Sequence, residues 1–135
     1  MLQVYSINQA LADGIAIPFN NVAIQKGKTA ILGAPATIEI NKKGIYEILV
    51  DGSIDATTTA TTATIQLTKN GIPMPQAQKT IATDTVVPVS YSFSALVQAT
   101  EDNTCCCITS PTTLQVVYTG DASTGDINVV VTKIC

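Results

Sequence analysis

The sequence predicts an all-β fold, an antiparallel β-sandwich or jelly roll of about 8–10 strands. Apolar residues recur at every second position in several separate segments, the pattern of strands with one buried face. Groups of Gly, Pro, Asn and Asp stand between these segments, where they favour turns. The sequence offers no long stretch that combines helical spacing of apolar residues with capping residues. These observations indicate strands along the whole chain.

The clearest alternation is the segment Thr85–Thr100. From Val87 onward its odd positions are apolar, whereas its even positions are mostly serine and other polar residues, with Leu96 as the large apolar exception. The pattern predicts one long strand whose buried odd face contributes Val89, Tyr91 and Phe93 to the core. A proline at the fourth position cannot donate a ladder hydrogen bond, so it marks an edge, a bulge or the start of the strand.

Shorter alternating segments predict further strands at Thr37–Asn41, Gly44–Ile54, Ala60–Lys69 and Thr112–Thr119. The pair Asn70-Gly71, which follows the third of them, predicts a two-residue hairpin turn because both residue types tolerate a positive φ. The core residues predicted on these strands are Tyr46, Ile48, Val50, Ile65, Leu67, Leu114, Val116 and Tyr118.

The N-terminal segment Leu2–Ala12 could form a turn of helix. Its β-branched residues and the following Asp13-Gly14 argue against a long helix. We expect residues 1–135 to form a single jelly-roll domain, since domains commonly span about 100–200 residues. Residues 1–25 are a candidate N-terminal arm or attachment segment of that domain.

The composition argues against several classes of function. The 135 residues include no His, which is the commonest general base near neutral pH and the commonest metal ligand. They also include no Arg, so bidentate recognition of phosphate or guanine cannot occur. The net charge is -3, the wrong sign for binding nucleic acid. We therefore expect neither an ordinary hydrolase nor a nucleic-acid-binding protein.

The start of the chain carries no basic residue ahead of an apolar stretch, so no secretory signal is expected. No apolar run reaches the roughly 18 residues that a membrane helix requires, so we expect no membrane partner. These features predict a protein that folds in a cytoplasm. Any disulfide would then form after release into an oxidising medium.

The four cysteines are the only concentrated reactive groups: Cys105, Cys106, Cys107 and Cys135. Adjacent cysteines on a strand point to alternate faces, which does not suit the paired spacing of a zinc tetrathiolate, so no metal is predicted. One interpretation is a disulfide between Cys135 and one member of the triplet. The other interpretation is that the thiols pack as small apolar residues. A catalytic thiol would need a base, and the chain has no His to supply it.

Two further segments contain residue types that occur in binding sites. The run Asp55–Thr64 resembles a water-ordering Thr-x-Thr ladder, but it occurs once, so an exposed loop leading into a strand is expected. The loop Thr119–Asp126 holds two Asp that could bind calcium, but turn residues of a hairpin have the same composition, and we favour the turn. No catalytic, cofactor or metal residue is predicted.

Several motifs in chain order carry a family resemblance. Gly44–Val50 begins with Gly-Ile-Tyr and continues with alternating aliphatic residues, and Ile65–Gly71 joins a strand to an Asn-Gly hairpin. Asn128–Ile134 is an apolar closing strand, and Ile17–Gly27 contains an Ile-Pro-Phe-Asn-Asn opening. Taken together along the chain, the motifs resemble the tumour-necrosis-factor/complement-type jelly roll, of the small kind found in bacteriophage and bacterial surface proteins.

The resemblance implies a compact homotrimer used as a head or tip domain. It implies either a non-enzymatic bacteriophage virion structural protein, such as a capsid decoration protein, head fibre or spike, or a surface-displayed sugar- or receptor-binding module of a bacterial filament or spore coat. The lack of a collagen-like stalk and of a signal peptide favours the virion, assembled in the host cytoplasm, over a cell or spore surface. The expected partners are other copies of the chain and virion proteins such as the major capsid protein.

Overall fold

A computed structural model of the protein describes residues 1–56, 60–100 and 111–135. Within these ranges the chain forms eleven β-strands and no helix, so none is available to span a membrane. The strands are β1 Leu2–Leu11, β2 Ile15–Ala16, β3 Asn21–Gln25, β4 Ala30–Ala34, β5 Thr37–Ile40, β6 Gly44–Asp55, β7 Thr62–Lys69, β8 Ile72–Ala82, β9 Val89–Ala99, β10 Thr112–Thr119 and β11 Ser123–Lys133.

The strands form two antiparallel sheets. The five-stranded sheet has the order β3-β1-β11-β6-β9. The six-stranded sheet has the order β4-β5-β10-β7-β8, with the two-residue β2 also paired to β10. The predicted antiparallel β-sandwich is confirmed, with slightly more strands than expected because three of them contain five residues or fewer at the sheet margins.

The core lies between the inner faces of the two sheets, and the alternation of side chains along each strand produces it. The last strand, β11, pairs with β1 on one side and with β6 on the other. Its Val131 lies opposite Leu2 of β1 and opposite Ile48 of β6, and all three are buried. Residues from the facing sheet, such as Ile65 and Val116, complete one continuous cluster.

Most of the residues predicted for the core are buried in the structure. They are Tyr46, Ile48, Val50, Ile65, Leu67, Tyr91, Leu114, Val116 and Tyr118. Val89 and Phe93 are half-buried instead, although Phe93 still packs against the core cluster. These two predictions are corrected because, among the described residues, β9 lies at the edge of its sheet and pairs only with β6. The strand also begins later than expected, at Val89, directly after the proline.

Residues 1–25 do not form a separate arm, and Leu2–Ala12 contains no helical turn. The segment forms β1, β2 and β3, and β1 occupies an interior position of the five-stranded sheet. Leu2 and Val4 are completely buried, so this segment is part of the sandwich. The strand β1 contains a bulge with Asn8 at a φ of 52°. This bulge interrupts the alternation of apolar residues, so the sequence pattern did not identify the strand.

The Asn-Gly turn between β7 and β8 forms as expected. Asn70 and Gly71 have φ values of 52° and 80°, and the flanking Lys69 and Ile72 are paired across the hairpin. Positive φ at both central residues is the geometry of a type I′ turn, whose twist matches that of the strands. The Asn70 side-chain oxygen accepts the Thr113 N–H at 2.9 Å, which ties the turn to β10.

Tyr91 is anchored across a glycine of the neighbouring strand. It lies opposite Gly52 of β6, and its hydroxyl donates to the Asp126 carbonyl oxygen of β11 at 3.3 Å. A Cβ added at Gly52 would overlap that carbonyl oxygen and would lie 2.8 Å from the Tyr91 hydroxyl oxygen. Because the ring covers the space that glycine leaves, β9, β6 and β11 are linked on their inner face. Burial raises the pKa of the Tyr91 phenol well above its usual value, and the carboxylates of Asp51 and Asp126 raise it further.

We predict that Gly52→Ala lowers the free energy of unfolding by about 3 kcal/mol, because backbone blocks the added methyl group. The matched control is Gly71→Ala, the same chemical change at a turn position where nothing lies within 4 Å of the new Cβ. Its cost is about 1 kcal/mol, arising from the positive φ alone. Denaturant unfolding at one protein concentration measures both. Equal costs would show that the close approach at Gly52 is not rigid.

A second prediction concerns alkaline pH. The folded protein retains the Tyr91 proton more tightly than the unfolded chain, which loses it above about pH 10. The unfolded state then binds fewer protons than the folded state, so the free energy of unfolding falls as the pH rises above that value. Tyr91→Phe removes this contribution, and its stability should decline less steeply between about pH 10 and pH 12. Identical slopes for the two proteins would contradict the assignment.

Candidate interaction surface

The edges of the two sheets differ in how they are protected against pairing with other chains. The edge strands β3 and β4 contain five residues each and both have register shifts. The long edge strand β8 contains Pro73, Pro75 and Lys79. Short length, irregularity, proline and lysine all discourage edge-to-edge association. The remaining edge strand, β9, has eleven residues with no charged residue and no proline. It is the least protected edge in the described part of the chain.

The sheet that ends in β9 also carries large apolar side chains on the face that points away from the core. Leu49 of β6 and Leu96 of β9 are 43% and 61% exposed. Val130 of β11 lies opposite Leu49 and is half-buried. Nearby, Ile45 is also exposed. We call this surface, on β1, β11, β6 and β9, the exposed face of the five-stranded sheet.

A row of polar side chains crosses the same face. The Gln3 amide donates to the Asn128 side-chain oxygen at 2.9 Å, and the Asn128 amide donates to the Asp51 carboxylate at 2.9 Å. This relay joins β1, β11 and β6 and ends next to Ser92, which lies opposite Asp51 on β9. Asn128 is thereby held in one orientation, and the Asp51 carboxylate is fixed beside the apolar side chains of this face.

The relay borders a shallow depression of about 400 Å³. Its lining combines the apolar side chains of Leu49 and Val130 with the polar groups of Asp51 and Ser94. Concave surface with apolar walls and a few fixed polar groups is typical of recognition sites.

The opposite face of the molecule has a different character. On the exposed face of the six-stranded sheet, the hydroxyl oxygens of Thr64 and Thr80 are 3.0 Å apart, and the Gln115 amide donates to the Thr37 hydroxyl at 2.9 Å. Threonine and glutamine side chains that bond to one another leave a polar surface suited to water. The two outer faces of the sandwich thus differ, and the apolar one adjoins the unprotected edge.

Several residues singled out in the sequence do not join this surface. Cys135 is exposed and free, whereas Cys105, Cys106 and Cys107 lie outside the described residues, as do residues 57–59 of the threonine run. The expected loop Thr119–Asp126 is shorter than predicted, because β11 begins at Ser123 and places Asp126 on the strand. Asp126 accepts the Asn8 N–H at 2.9 Å. Within residues 1–56, 60–100 and 111–135, no three His, Cys, Asp or Glu side chains form a metal-binding group.

The apolar face was not predicted from the sequence, although one signal for it was present. Leu96 interrupts the polar even positions of the β9 segment, and an apolar residue on the solvent side of a strand marks a contact surface. Leu49 could not be distinguished in this way because it stands in the apolar run Ile48–Val50, where either neighbour could face the core. The polar relay depends on strand order, which the local pattern does not contain.

No protein-family model and no curated protein sequence matches this chain. Solved structures do match it. The globular domain of zebrafish complement 1qA protein superimposes with a TM-score of 0.65 at 9% identity, covering 96% of this chain and 94% of that one. Murine APRIL at pH 8.5 gives 0.63 at 10% identity, covering 98% of each chain. PRD1 vertex protein P5 gives 0.62 at 14% identity, covering 99% of this chain and 96% of the other.

The likeness extends over nearly the whole of each chain, so it concerns the complete sandwich and not a shared fragment. At these identities it establishes architecture and leaves function to be argued separately. It confirms the resemblance carried by the sequence motifs. The chain has the jelly-roll fold of the tumour-necrosis-factor and complement C1q type.

Proposed function

We propose that this protein is a non-enzymatic structural module that works as a homotrimer, assembled through the β9 edge and the exposed face of the five-stranded sheet. The observation that carries the proposal is the position of the least protected edge directly beside the apolar outer face. Such an edge and such a face both invite association in an isolated chain. Covering them with other copies of the same chain removes both liabilities together.

The arrangement of these surfaces favours a ring over a two-fold dimer. The β9 edge and the centre of the exposed face are different surfaces, so contact between them is heterologous. A heterologous contact closes into a ring when the rotation between copies divides a full turn evenly. The resemblance to tumour-necrosis-factor/complement-type jelly rolls suggests that three copies close this ring.

The polar relay would determine the register of this interface. An Asp51 carboxylate placed under a neighbouring copy loses water, and it must regain hydrogen bonds from the neighbour. Serine hydroxyls are donors of suitable size, and Ser90, Ser92 and Ser94 are all exposed along β9. Copies shifted from this register would leave the carboxylate without a donor from the neighbouring copy, a cost that disfavours alternative packings.

We further propose that the trimer is a bacteriophage virion component, such as a capsid decoration protein, head fibre or spike, in contact with other virion proteins such as the major capsid protein. The likeness to PRD1 vertex protein P5 supports a structural role, and the absence of His from the sequence supports a non-enzymatic one. Cofractionation with purified particles tests this location. Recovery from a bacterial cell-surface or spore-coat fraction would favour the alternative, a displayed sugar- or receptor-binding module.

The interface is tested with a matched pair of variants. Leu49→Asp places a charge on the exposed face, and we expect it to convert a particle of about three times the 14.1 kDa chain mass into monomer at micromolar concentration. Ile72→Asp makes the same kind of change at the β7–β8 hairpin, where Ile72 is 69% exposed, and it should leave the trimer intact. Sedimentation velocity measures the masses, and circular dichroism checks the fold. A wild-type monomer, or a trimeric Leu49→Asp variant, would contradict the proposal.

A further inference from the structure

The lysines of this protein are concentrated at one end of the sandwich. The chain has seven lysines, and six of them lie where β3, β5, β7 and β11 end and where the strands that follow begin. The register places these strand ends together, since Gln25 lies opposite Leu2, Lys133 opposite Tyr46, and Lys69 opposite Leu114. The six are Lys26, Lys28, Lys42, Lys43, Lys69 and Lys133. We call this region the basic end.

The acidic side chains of the described residues are distributed in the opposite way. Those at the other end of the sandwich are Asp13, Asp55, Asp84, Asp121 and Asp126. Near the basic end, Glu39 of β5 and Glu47 of β6 are half-buried, and Glu47 lies opposite Leu96 on the five-stranded sheet. Glu101 and Asp102 lie outside the described residues. Although the net charge of the chain is -3, most lysines and most carboxylates of the described residues lie at opposite ends of the sandwich.

The basic end also exposes apolar side chains among its lysines. Ile134 is 52% exposed and follows Lys133, and its N–H donates to the Ile45 carbonyl oxygen at 2.8 Å. Ile72, beside the Asn-Gly turn, is 69% exposed. A surface on which apolar side chains are surrounded by exposed charges is typical of protein-binding sites with a polar rim.

We propose that the basic end is a docking surface for an acidic protein segment, one that presents carboxylates around a few aliphatic side chains. The inference rests on the structural role proposed above, in which the module attaches to a larger assembly. In a trimer with parallel copies, three basic ends would lie side by side on one face. Such a face orients the module on an acidic surface through long-range attraction, and the isoleucines add short-range contact.

A protein partner fits these residues better than nucleic acid does. The chain contains no Arg, the residue that binds phosphate bidentately and stacks on bases. Tyr46, the aromatic residue nearest the lysines in the described part of the chain, is buried and donates its hydroxyl to the Lys42 carbonyl oxygen at 2.7 Å. Stacking platforms for bases are thus missing from this part of the surface, while exposed isoleucines are present.

The experiment measures binding of two labelled probes by fluorescence anisotropy. One is a synthetic peptide in which single Leu residues separate pairs of Glu, and the other is duplex DNA with the same number of negative charges. We expect the peptide to bind more tightly than the duplex, with an affinity that falls as salt is added. Lys42→Glu and Lys133→Glu, made separately in the full chain, should each weaken peptide binding about fivefold.

The matched control is Lys79→Glu, which changes the net charge equally but lies in the middle of β8, away from the basic end. It should change the affinity by less than about twofold. Equal weakening by all three variants would show that only net charge matters, and tighter binding of the duplex would assign the surface to nucleic acid. Either result overturns the proposal.

Sedimentation of the same proteins separates this inference from the trimer. If the wild type sediments as a monomer but binds the peptide as expected, the docking surface stands and the trimer fails. Low salt could instead produce particles larger than a trimer, and both Lys133→Glu and Asp84→Lys could abolish these particles. In that case the basic end binds the opposite end of a second copy, where Asp84 lies. That outcome would also overturn the proposal of an acidic protein partner.

Discussion

The pairing of β1 with β11 in the middle of the five-stranded sheet is the interaction on which the rest of the structure depends. It joins the two ends of the chain, so that Leu2 lies opposite Val131. The strand β11 also pairs with β6, and β6 pairs with β9. Without this long-range closure, the inner faces could not meet as one core, and the exposed face of this sheet would not exist. Contacts so distant in sequence carry a large entropic cost of loop closure, which slows folding.

The four edge strands differ in how their unpaired backbone N–H and C=O groups are protected against pairing with other chains. Three edges are shortened, made irregular or occupied by proline and lysine, which are devices that keep a sandwich monomeric. The β9 edge has none of them, and its neighbouring outer face has leucines where the opposite sheet has threonine and glutamine. Val89 and Phe93 are only half-buried within one chain because β9 is an edge strand. Both lie on the strand whose outer side we propose that a second copy covers.

Charge and apolar surface serve different purposes in this molecule. The exposed face of the five-stranded sheet combines its apolar side chains with carboxylates on β6, among them those of Glu47 and Asp51, whereas the basic end is dominated by lysines. A dry, apolar contact suits permanent association between copies, because charged groups are depleted at the centre of such interfaces. A charged surface suits recognition of a separate partner, because it directs the approach and responds to salt. The two surfaces therefore do not compete for the same occupant.

The sequence by itself determined the class of fold, the strands and most of the inner face. Alternation in segments such as Gly44–Ile54 is a local signal that reports which side of a strand is buried, and Asn70-Gly71 fixes its turn through φ alone. Only the tertiary structure decided which strands became edges, so it alone revealed the half-burial of Phe93, the relay from Gln3 to Asp51 and the gathering of six lysines at one end. The physical reason is that these properties depend on strand order, and strand order is set by contacts between residues up to 129 positions apart, as in the pair Leu2 and Val131.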